Sequence, residues 1–299
     1  GVYEIRDRDE AVSIMVDKAN IAADTIKNNY DCCVAYYDEH LLEISIEQRR
    51  LLGEFEPALQ NDEFVMYLQP QVKRDGAAKG AEALVRWAHP SRGILTPYAF
   101  IDILENAGLI YKLDLYIWEK AAQKLAEWKE KGYGSYHISV NISTKDFYII
   151  DIYETFTGLI NKYGIAASNL HLEITEKTLM TDFEKNMNII HKLQNVGFRM
   201  EIDDFGSGYS SLNMLKDISA DVLKIDMGFL RKSENEVKGQ DILESIITLA
   251  GKIGMDVITE GVETKKQLDM LTMMGCHEFQ GYYFSKPVPV SEFEEKYLV

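Results

Sequence analysis

The sequence predicts an α/β fold: a (β/α)8 TIM-like barrel with one antiparallel strand, preceded by a small N-terminal α/β segment. The first observation is a regular alternation of short apolar or β-branched runs with helical stretches, which begins at Glu63. The second is the number of runs, because eight strands close a barrel of this type. The third is that many runs end in carboxylates or amides, as expected where strand ends carry a site. A doubly wound open sheet competes, but no GxGxxG or Walker loop supports it.

The first 62 residues predict the small α/β segment. Val2 to Ile5 and Val34 to Tyr37 are typical of short strands, and the apolar spacing between Val12 and Ile26 predicts a helix. A second amphipathic helix leads to Asp62, and Pro57 should kink or interrupt it. This segment is too small to bury a core alone, so we expect it to pack on the larger domain or on a missing one.

The barrel strands and helices follow in order along the rest of the chain. The eight predicted strands are Phe64 to Gln69, Gly80 to Arg86, Tyr136 to Ile142, His171 to Thr175, Arg199 to Asp203, Val222 to Ile225, Asp256 to Glu260 and Glu278 to Tyr282. The predicted helices include Lys112 to Glu130, Lys145 to Tyr163, Phe183 to Val196, Asp241 to Ile253 and Thr264 to Met274. Only a short turn, Lys73 to Gly76, joins the first two strands, which predicts a hairpin with an antiparallel first strand.

Charge and cysteine content restrict the partners and the compartment. The 48 acidic and 32 basic residues give a formal net charge of −16, which disfavours nucleic-acid polymers and direct contact with anionic membranes. A small anionic substrate would need bound divalent cations to reverse the repulsion. Cys32, Cys33 and Cys276 form no CxxC pair, which favours a reducing, cytoplasmic compartment. No membrane span or signal sequence is visible, although a parent protein could be anchored upstream of Gly1.

The predicted strand ends carry carboxylates, amides and one lysine. They are Glu82, Asn141, Glu173, Glu176, Asp203, Asp204, Lys224, Asp226, Glu260, Glu263 and Gln280. Oxygen ligands without His or Cys suit Mg²⁺ or Mn²⁺ rather than zinc. Each residue alone could equally be a capping or ion-paired carboxylate, but five strands that end in this way favour a metal site.

The adjacent aspartates Asp203 and Asp204 point to opposite sides of an extended strand. They can face one site only if the strand bends or ends there, and the following Gly206 to Gly208 permits a bend. One carboxylate could then bridge two cations while its neighbour binds only the second. A solvated turn is the alternative meaning of this dipeptide.

A motif in the second predicted strand, Glu82-Ala83-Leu84, is followed by Val85-Arg86-Trp87-Ala88-His89-Pro90. Seven further motifs are Tyr67 to Pro70, Val140 to Ser143, Leu172 to Glu176, Ile202 to Ser211, Leu223 to Asp226, Glu260 to Thr264 and Gln280 to Ser285. These motifs resemble, in the same order, those of the EAL-domain cyclic di-GMP phosphodiesterases. The resemblance extends from about Glu63 to the end of the chain. The chain departs from the usual family residues at Asp102, Thr259 and Ser207, and none of these positions is an implied metal ligand.

The resemblance implies a two-metal, in-line attack of water on phosphorus, with linear pGpG as product. It assigns one Mg²⁺ or Mn²⁺ ion to Glu82, Asn141, Glu173 and Asp203, and a second to Asp203, Asp204 and Glu260. It assigns catalytic or supporting roles to Lys224, Glu176, Glu263 and Gln280, and substrate contacts to Gln69, Leu84, Arg86 and Asp226. Ca²⁺ should inhibit, because its longer bonds fit poorly at a compact octahedral site.

The resemblance also bears on domains, oligomeric state and alternatives. The segment Gly1 to Asp38 resembles, more weakly, the closing third of a GGDEF diguanylate cyclase domain. We therefore expect residues 1–46 to be a GGDEF-like remnant and linker, and residues 47–299 to be the phosphodiesterase barrel. A homodimer through the barrel, near the loop after the fifth strand, is expected. The alternatives are an inactive cyclic di-GMP receptor module and a barrel hydrolase for another phosphodiester.

Overall fold

The N-terminal segment forms less sheet than its sequence predicts. The computed structural model describes residues 1–27, 32–205, 218–228 and 236–298. Val2 and Tyr36 pair in one isolated parallel bridge, so the prediction of two strands here was wrong beyond that contact. Helix α1 (Val12–Asp24) is confirmed, and Ala22 is its buried residue. Among the described residues, no further strand lies beside this pair to continue a ladder.

Helix α2 (Glu39–Gln60) links this segment to the barrel. The side chain of Asp38 caps it by accepting a hydrogen bond from the Leu41 amide at 3.0 Å. The helix continues through Pro57, so the predicted interruption was wrong. Phe55 and Ala58 are buried in the main core on either side of the proline, and this packing holds the last turn despite the lost backbone bond. The proposed domain boundary between residues 46 and 47 falls inside this continuous helix.

Eight strands close the predicted barrel. The described strands are β1 (Phe64–Lys73), β2 (Ala78–His89), β3 (Gly93–Leu95), β4 (His137–Ile142), β5 (Leu170–Thr175), β6 (Met200–Asp203), β7 (Val222–Asp226), β8 (Asp256–Glu260), β9 (Glu278–Phe279) and β10 (Val288–Pro289). The ring runs β1-β9-β8-β7-β6-β5-β4-β2, and the β1–β2 pairing closes it. β3 and β10, which were not predicted, extend it beside β2 and β1.

The first strand is antiparallel to both of its barrel neighbours, as predicted. β1 pairs antiparallel with β2 and β9, whereas the remaining barrel pairs are parallel. The hairpin register places Gln69 opposite Glu82. Gly76 has a φ of 85° in the turn, a left-handed conformation that favours glycine.

Helices cover the outside of the barrel. They are α3 (Ile101–Ala107), α4 (Ile110–Glu130), α5 (Asp146–Ile149), α6 (Ile152–Tyr163), α7 (Glu176–Thr181), α8 (Phe183–Val196), α9 (Glu236–Lys252), α10 (Lys265–Met273) and α11 (Val290–Tyr297). The single helix predicted from Lys145 to Tyr163 is two helices, because Ile150 is extended and Asp151 caps α6. Among the described helices, none is long and apolar enough to cross a membrane.

The two faces of the central strands differ in polarity. Successive strand residues point to opposite faces. In β4, Ile138 and Val140 join the apolar core that includes Trp118 and Phe156, while the alternate residues are polar. The apolar face therefore packs against the helices, and the polar face points into the barrel.

Candidate active site

Lys224 lies inside the barrel, among carboxylates from four other strands. It is the central residue of β7 and is fully buried. Its Nζ lies 2.6 Å from Glu260 Oε1, 3.2 Å from Glu82 Oε2 and 3.7 Å from Asp203 Oδ1. It also contacts Glu173 Oε1. The structure thus brings together five residues that the sequence analysis proposed from separate strand ends.

The electrostatics of this cluster follow from burial and crowding. Burial alone would lower the pKa of Lys224, but the surrounding carboxylates outweigh it and raise that pKa well above its usual range. Burial, followed by the charge of Glu82, raises the pKa of Glu173. Burial also raises the pKa of Glu260 to about 8. One ammonium group therefore leaves the carboxylates of this cluster incompletely neutralised.

The same residues fit divalent cations. One oxygen from each of Glu82, Glu173 and Glu260 lies within 4.8 Å of the others. Glu173 Oε2 and Asp203 Oδ1 are buried, and neither has a hydrogen-bond partner within the described part of the chain. Buried carboxylate oxygens of this kind suit Mg²⁺ or Mn²⁺, which prefer hard oxygen ligands.

Asn141 lies beside this cluster near the end of β4. Its Nδ2 donates a hydrogen bond to Glu82 Oε1 at 3.2 Å. Its main-chain oxygen accepts a hydrogen bond from the Trp118 indole at 2.9 Å, which ties the strand end to α4. The side-chain oxygen of Asn141 is thus held close to the carboxylates as a further candidate ligand.

The paired aspartates lie at a bend, as predicted. β6 ends at Asp203, and Asp204 adopts a φ of 55°, a left-handed conformation that is uncommon outside glycine. This turn lets both side chains approach one site although they are adjacent in sequence. Burial, with the charge of Asp203 second, raises the pKa of Asp204. Gly206, Ser207 and Gly208 lie outside the described residues.

Two glutamines extend the cluster towards β1. Gln280 Nε2 donates to Glu82 Oε2 at 2.5 Å and to Gln69 Oε1 at 3.3 Å. Gln69 Nε2 donates to the Ser285 main-chain oxygen at 3.3 Å. Both glutamines are buried, so the structure places these two predicted residues beside the metal candidates.

The proposed substrate contacts of β2 lie on the same strand as Glu82. The Arg86 guanidinium lies 5.5 Å from the centre of the Tyr67 ring and donates a hydrogen bond to the Val85 main-chain oxygen. Leu84 is partly buried and pairs with Tyr67 across the hairpin. Burial lowers the pKa of Arg86, yet an arginine of this kind keeps its charge in proteins.

Three other predicted residues have different surroundings. Asp226 Oδ1 accepts a hydrogen bond from the Gly228 amide at 2.7 Å. Glu176 begins α7, directly after β5. Glu263 is exposed on the turn before α10, where its amide donates to Gln267 Oε1. Asp226 thus ends β7 opposite Glu260 of β8, and Glu263 lies between β8 and α10.

Three buried polar residues deeper in the barrel were missed by the sequence analysis. His137, His171 and Glu201 belong to β4, β5 and β6 and are buried. The missed signal is the alternation of polar and apolar residues in HISVN, HLEIT and MEID, which puts one polar face on each strand.

Curated relatives cover most of this chain. Bifunctional diguanylate cyclase/cyclic di-GMP phosphodiesterase MucR of Pseudomonas aeruginosa is 32% identical over 272 residues, which cover 91% of this chain and 39% of that protein. Cyclic di-GMP phosphodiesterase PdeR of Escherichia coli is 33% identical over 240 residues, which cover 80% of this chain and 36% of that protein. This chain thus spans less than two fifths of the length of either relative.

The structural comparison covers a similar part of the chain. The solved structure of the MucR phosphodiesterase in complex with c-di-GMP matches with a TM-score of 0.77 and 33% identity. The match covers 82% of this chain and 99% of that one. The sequence model of the EAL domain matches residues 53–287, which include all five residues of the Lys224 cluster. The chain therefore belongs to the EAL domain family.

Proposed function

We propose that this chain is a phosphodiesterase that hydrolyses cyclic di-GMP to linear pGpG with the help of divalent cations. The observation that carries the proposal is the buried Lys224 among Glu82, Glu173, Asp203 and Glu260 inside an EAL barrel. Two relatives at 32% and 33% identity are named as cyclic di-GMP phosphodiesterases. Their names support the choice of substrate.

The acidic residues would hold the cations. We assign Glu82, Asn141, Glu173 and Asp203 to one ion, and Asp203, Asp204 and Glu260 to a second. Bound there, the ions supply Lewis-acid charge for the phosphate oxygens and lower the pKa of a bound water. Glu173 Oε2, which is buried without a hydrogen-bond partner among the described residues, supports this assignment, because buried carboxylate oxygens otherwise require a partner.

The other side chains would position the reactants. Lys224 is proposed to hold the attacking water and to balance negative charge, and Gln280 to keep Glu82 oriented through their hydrogen bond. Gln69, Leu84, Arg86 and Asp226 are proposed to contact the dinucleotide. The guanidinium of Arg86 is suited to a phosphate because its planar fork can donate two parallel hydrogen bonds. Glu176 and Glu263 keep supporting roles as proposals.

The direct test is incubation with cyclic di-GMP and either Mg²⁺ or Mn²⁺, followed by chromatographic identification of the product. We expect pGpG with both ions, and inhibition when Ca²⁺ is added, since Ca²⁺ prefers longer bonds and looser geometry. Binding of cyclic di-GMP without turnover would instead identify a receptor module. Turnover of other cyclic dinucleotides but not of this one would indicate a different phosphodiester substrate.

The substitution Asp203→Asn tests the assignment of Asp203 to both cations. An amide cannot supply the full negative charge that a position shared by two cations requires, so we expect turnover to fall by at least about 100-fold. Asp62→Asn is the control, since Asp62 is exposed and pairs with Lys120 on the surface. Near-normal hydrolysis by the Asp203 variant would contradict the assignment of Asp203 to both ions.

A further inference from the structure

A second group of buried ligand-type side chains lies in the barrel away from the proposed active site. His137 is the first residue of β4, and His171 and Glu201 are the second residues of β5 and β6. Asn141 and Asp203, by contrast, lie towards the carboxyl ends of β4 and β6. The group therefore belongs to the opposite, amino-terminal end of these strands.

Within the described part of the chain, each of the two imidazoles makes its hydrogen bond through a single ring nitrogen. His137 Nε2 is bonded to Gln71 Oε1 at 2.7 Å, and His171 Nδ1 to Glu201 Oε1 at 2.6 Å. Ser139 Oγ also donates to Glu201 Oε1 at 3.0 Å. These bonds leave His137 Nδ1 available, with its ring oriented through Nε2 by Gln71, as is usual for a metal-binding histidine. At His171, an ion bound by Nδ1 would replace the proton that this nitrogen shares with Glu201.

The second carboxylate oxygen of Glu201, Oε2, is a further candidate ligand beside the two histidines. Its side chain is fully buried, and Oε2 has no hydrogen-bond partner among the described residues. A buried carboxylate oxygen without a partner is costly. One ligand atom each from His137, His171 and Glu201 lies within 4.8 Å of the other two. Three protein ligands with this spacing can converge on one ion once one of the imidazole rings turns.

The two basic side chains that line the adjoining cavity form ion pairs outside the group of His137, His171 and Glu201. A cavity of about 500 Å³ borders His137, His171 and Glu201 and also Lys79 and Arg199. Lys79 pairs with Glu278, and Arg199 pairs with Asp256 at 2.6 Å. Both positive side chains are therefore directed to carboxylates outside the group. The cavity gives an ion and a water a route to the group from this end.

We propose that His137, His171 and Glu201 form a Zn²⁺ site, separate from the Mg²⁺ or Mn²⁺ site at the other end. Two imidazoles and one carboxylate are a ligand set that zinc accepts, with water in the fourth position, whereas Mg²⁺ prefers oxygen ligands alone. The imidazole rings are stacked, with centroids 3.8 Å apart and planes 4° from parallel. Binding must therefore turn one ring out of the stack so that both lone pairs point at the ion. The site would connect three neighbouring strands.

The test is a Zn²⁺ titration of the intact chain in an excess of Mg²⁺, followed by NMR of the imidazole rings. The chain has six histidines, so each ring can be assigned. We expect one equivalent of Zn²⁺ to change the signals of His137 and His171 and to leave the exposed His40 and His191 unchanged. Because the readout is on these rings, it is independent of hydrolysis and of ions at the carboxylate cluster. Unchanged His137 and His171 signals would overturn the proposal.

Substitutions then identify the ligands. His171→Gln and Glu201→Gln should weaken Zn²⁺ binding by more than about 100-fold, since loss of even an outer-shell partner costs about 10- to 100-fold. His191→Gln and Asp203→Asn should retain it, the first as a matched surface histidine and the second as a residue of the other site. Undiminished binding in both ligand variants would overturn the site. If a variant does not fold, the titration of the unmodified chain decides alone.

Discussion

At the residue scale, the main feature of the site is Lys224, a buried positive charge surrounded by carboxylates. Its ammonium group is fully buried and contacts Glu82, Glu173 and Glu260. Buried charges are stable only when paired. Without a cation, this lysine is the one positive side chain that the described structure places among these carboxylates.

We expect Lys224→Met to destabilise the metal-free chain by about 3 kcal/mol, since removal of one partner leaves buried charges uncompensated. Saturating Mg²⁺ should restore part of this loss, because bound cations replace the missing charge. The measurement is denaturant unfolding in chelator and in Mg²⁺. Lys120→Met is the matched control, because Lys120 makes an exposed ion pair with Asp62 that contributes less than about 1 kcal/mol. Equal losses in the two variants would contradict this account.

Asp114 and Asp146 form a pair of interacting carboxyl groups outside the Lys224 cluster. Burial, with the charge and hydrogen bond of Asp146, raises the pKa of Asp114 well above its usual range. Burial also raises the pKa of Asp146, whose Oδ2 accepts a hydrogen bond from the Ser143 amide at 2.8 Å. The pair therefore retains a proton at pH values where an isolated aspartate has lost it.

The pH dependence follows from the sign of this shift. A carboxyl group with a raised folded-state pKa contributes stability below the unfolded pKa of 3.8, and this contribution is lost as pH rises through the folded value. Asp114→Asn mimics the protonated form, so it should raise the unfolding free energy at pH 8 by about 1 kcal/mol. The gain should disappear near pH 4, because the carboxyl is then protonated in the folded chain as well. Denaturant unfolding at both pH values measures it, and a pH-independent effect would disprove it.

At the element scale, the pairing of β2 with β4 depends on Gly80. Gly80 lies opposite His137 in the parallel register. A Cβ atom added at Gly80 would lie 2.4 Å from the His137 ring, a distance that no non-bonded pair tolerates. The imidazole therefore occupies space that only glycine leaves open.

Gly80→Ala should lower the unfolding free energy by about 2 kcal/mol through overpacking. Gly53→Ala is the matched control, since a Cβ atom at Gly53 meets nothing within 4 Å in α2. That control should stabilise the chain by about 0.5 to 1 kcal/mol through the helix propensity of alanine. Combining Gly80→Ala with His137→Ala should cost less than the sum of the two single changes. Additive losses would show that the two residues do not compete for space.

At the scale of the whole molecule, the N-terminal segment and the barrel differ in how much they bury. α1 contributes Ala22 as its buried residue, whereas α2 contributes Leu51, Phe55 and Ala58. The match to the EAL domain model begins at residue 53. The assignment of residues 1–46 to a GGDEF-like remnant stays a prediction, and the buried residues of α2 all lie in its second half.

A chain that begins at Asp38 should therefore keep its cap and unfold cooperatively. We expect its midpoint temperature to fall by less than about 4 °C, which corresponds to about 1 kcal/mol for a domain of this size. A chain that begins at Asn61 should melt far lower, because it loses Phe55 from the core. Thermal melts of the three lengths provide the comparison. A large loss on removal of residues 1–37 would show that the first segment supports the barrel.

The sequence by itself determined the features that depend on local periodicity. The alternation of runs predicted the barrel, the short turn predicted the antiparallel hairpin, and carboxylates at strand ends predicted the Lys224 cluster. These predictions succeed because side-chain direction repeats every two residues in a strand, and because the carboxyl ends of parallel barrel strands lie at the same end of the barrel. The bend at Asp203 and Asp204 was predictable for the same reason, since adjacent strand residues otherwise face apart.

The tertiary structure decided what depends on residues distant in sequence. Pro57 stays helical because Phe55 and Ala58 are buried against the barrel, and propensity cannot report that packing. The position of Lys224 among carboxylates of four strands follows from barrel closure. The approach of His137, His171 and Glu201 has the same origin, because closure turns the polar faces of β4, β5 and β6 inward to one another. Strand patterns define two faces, and only the closed sheet decides which face is enclosed.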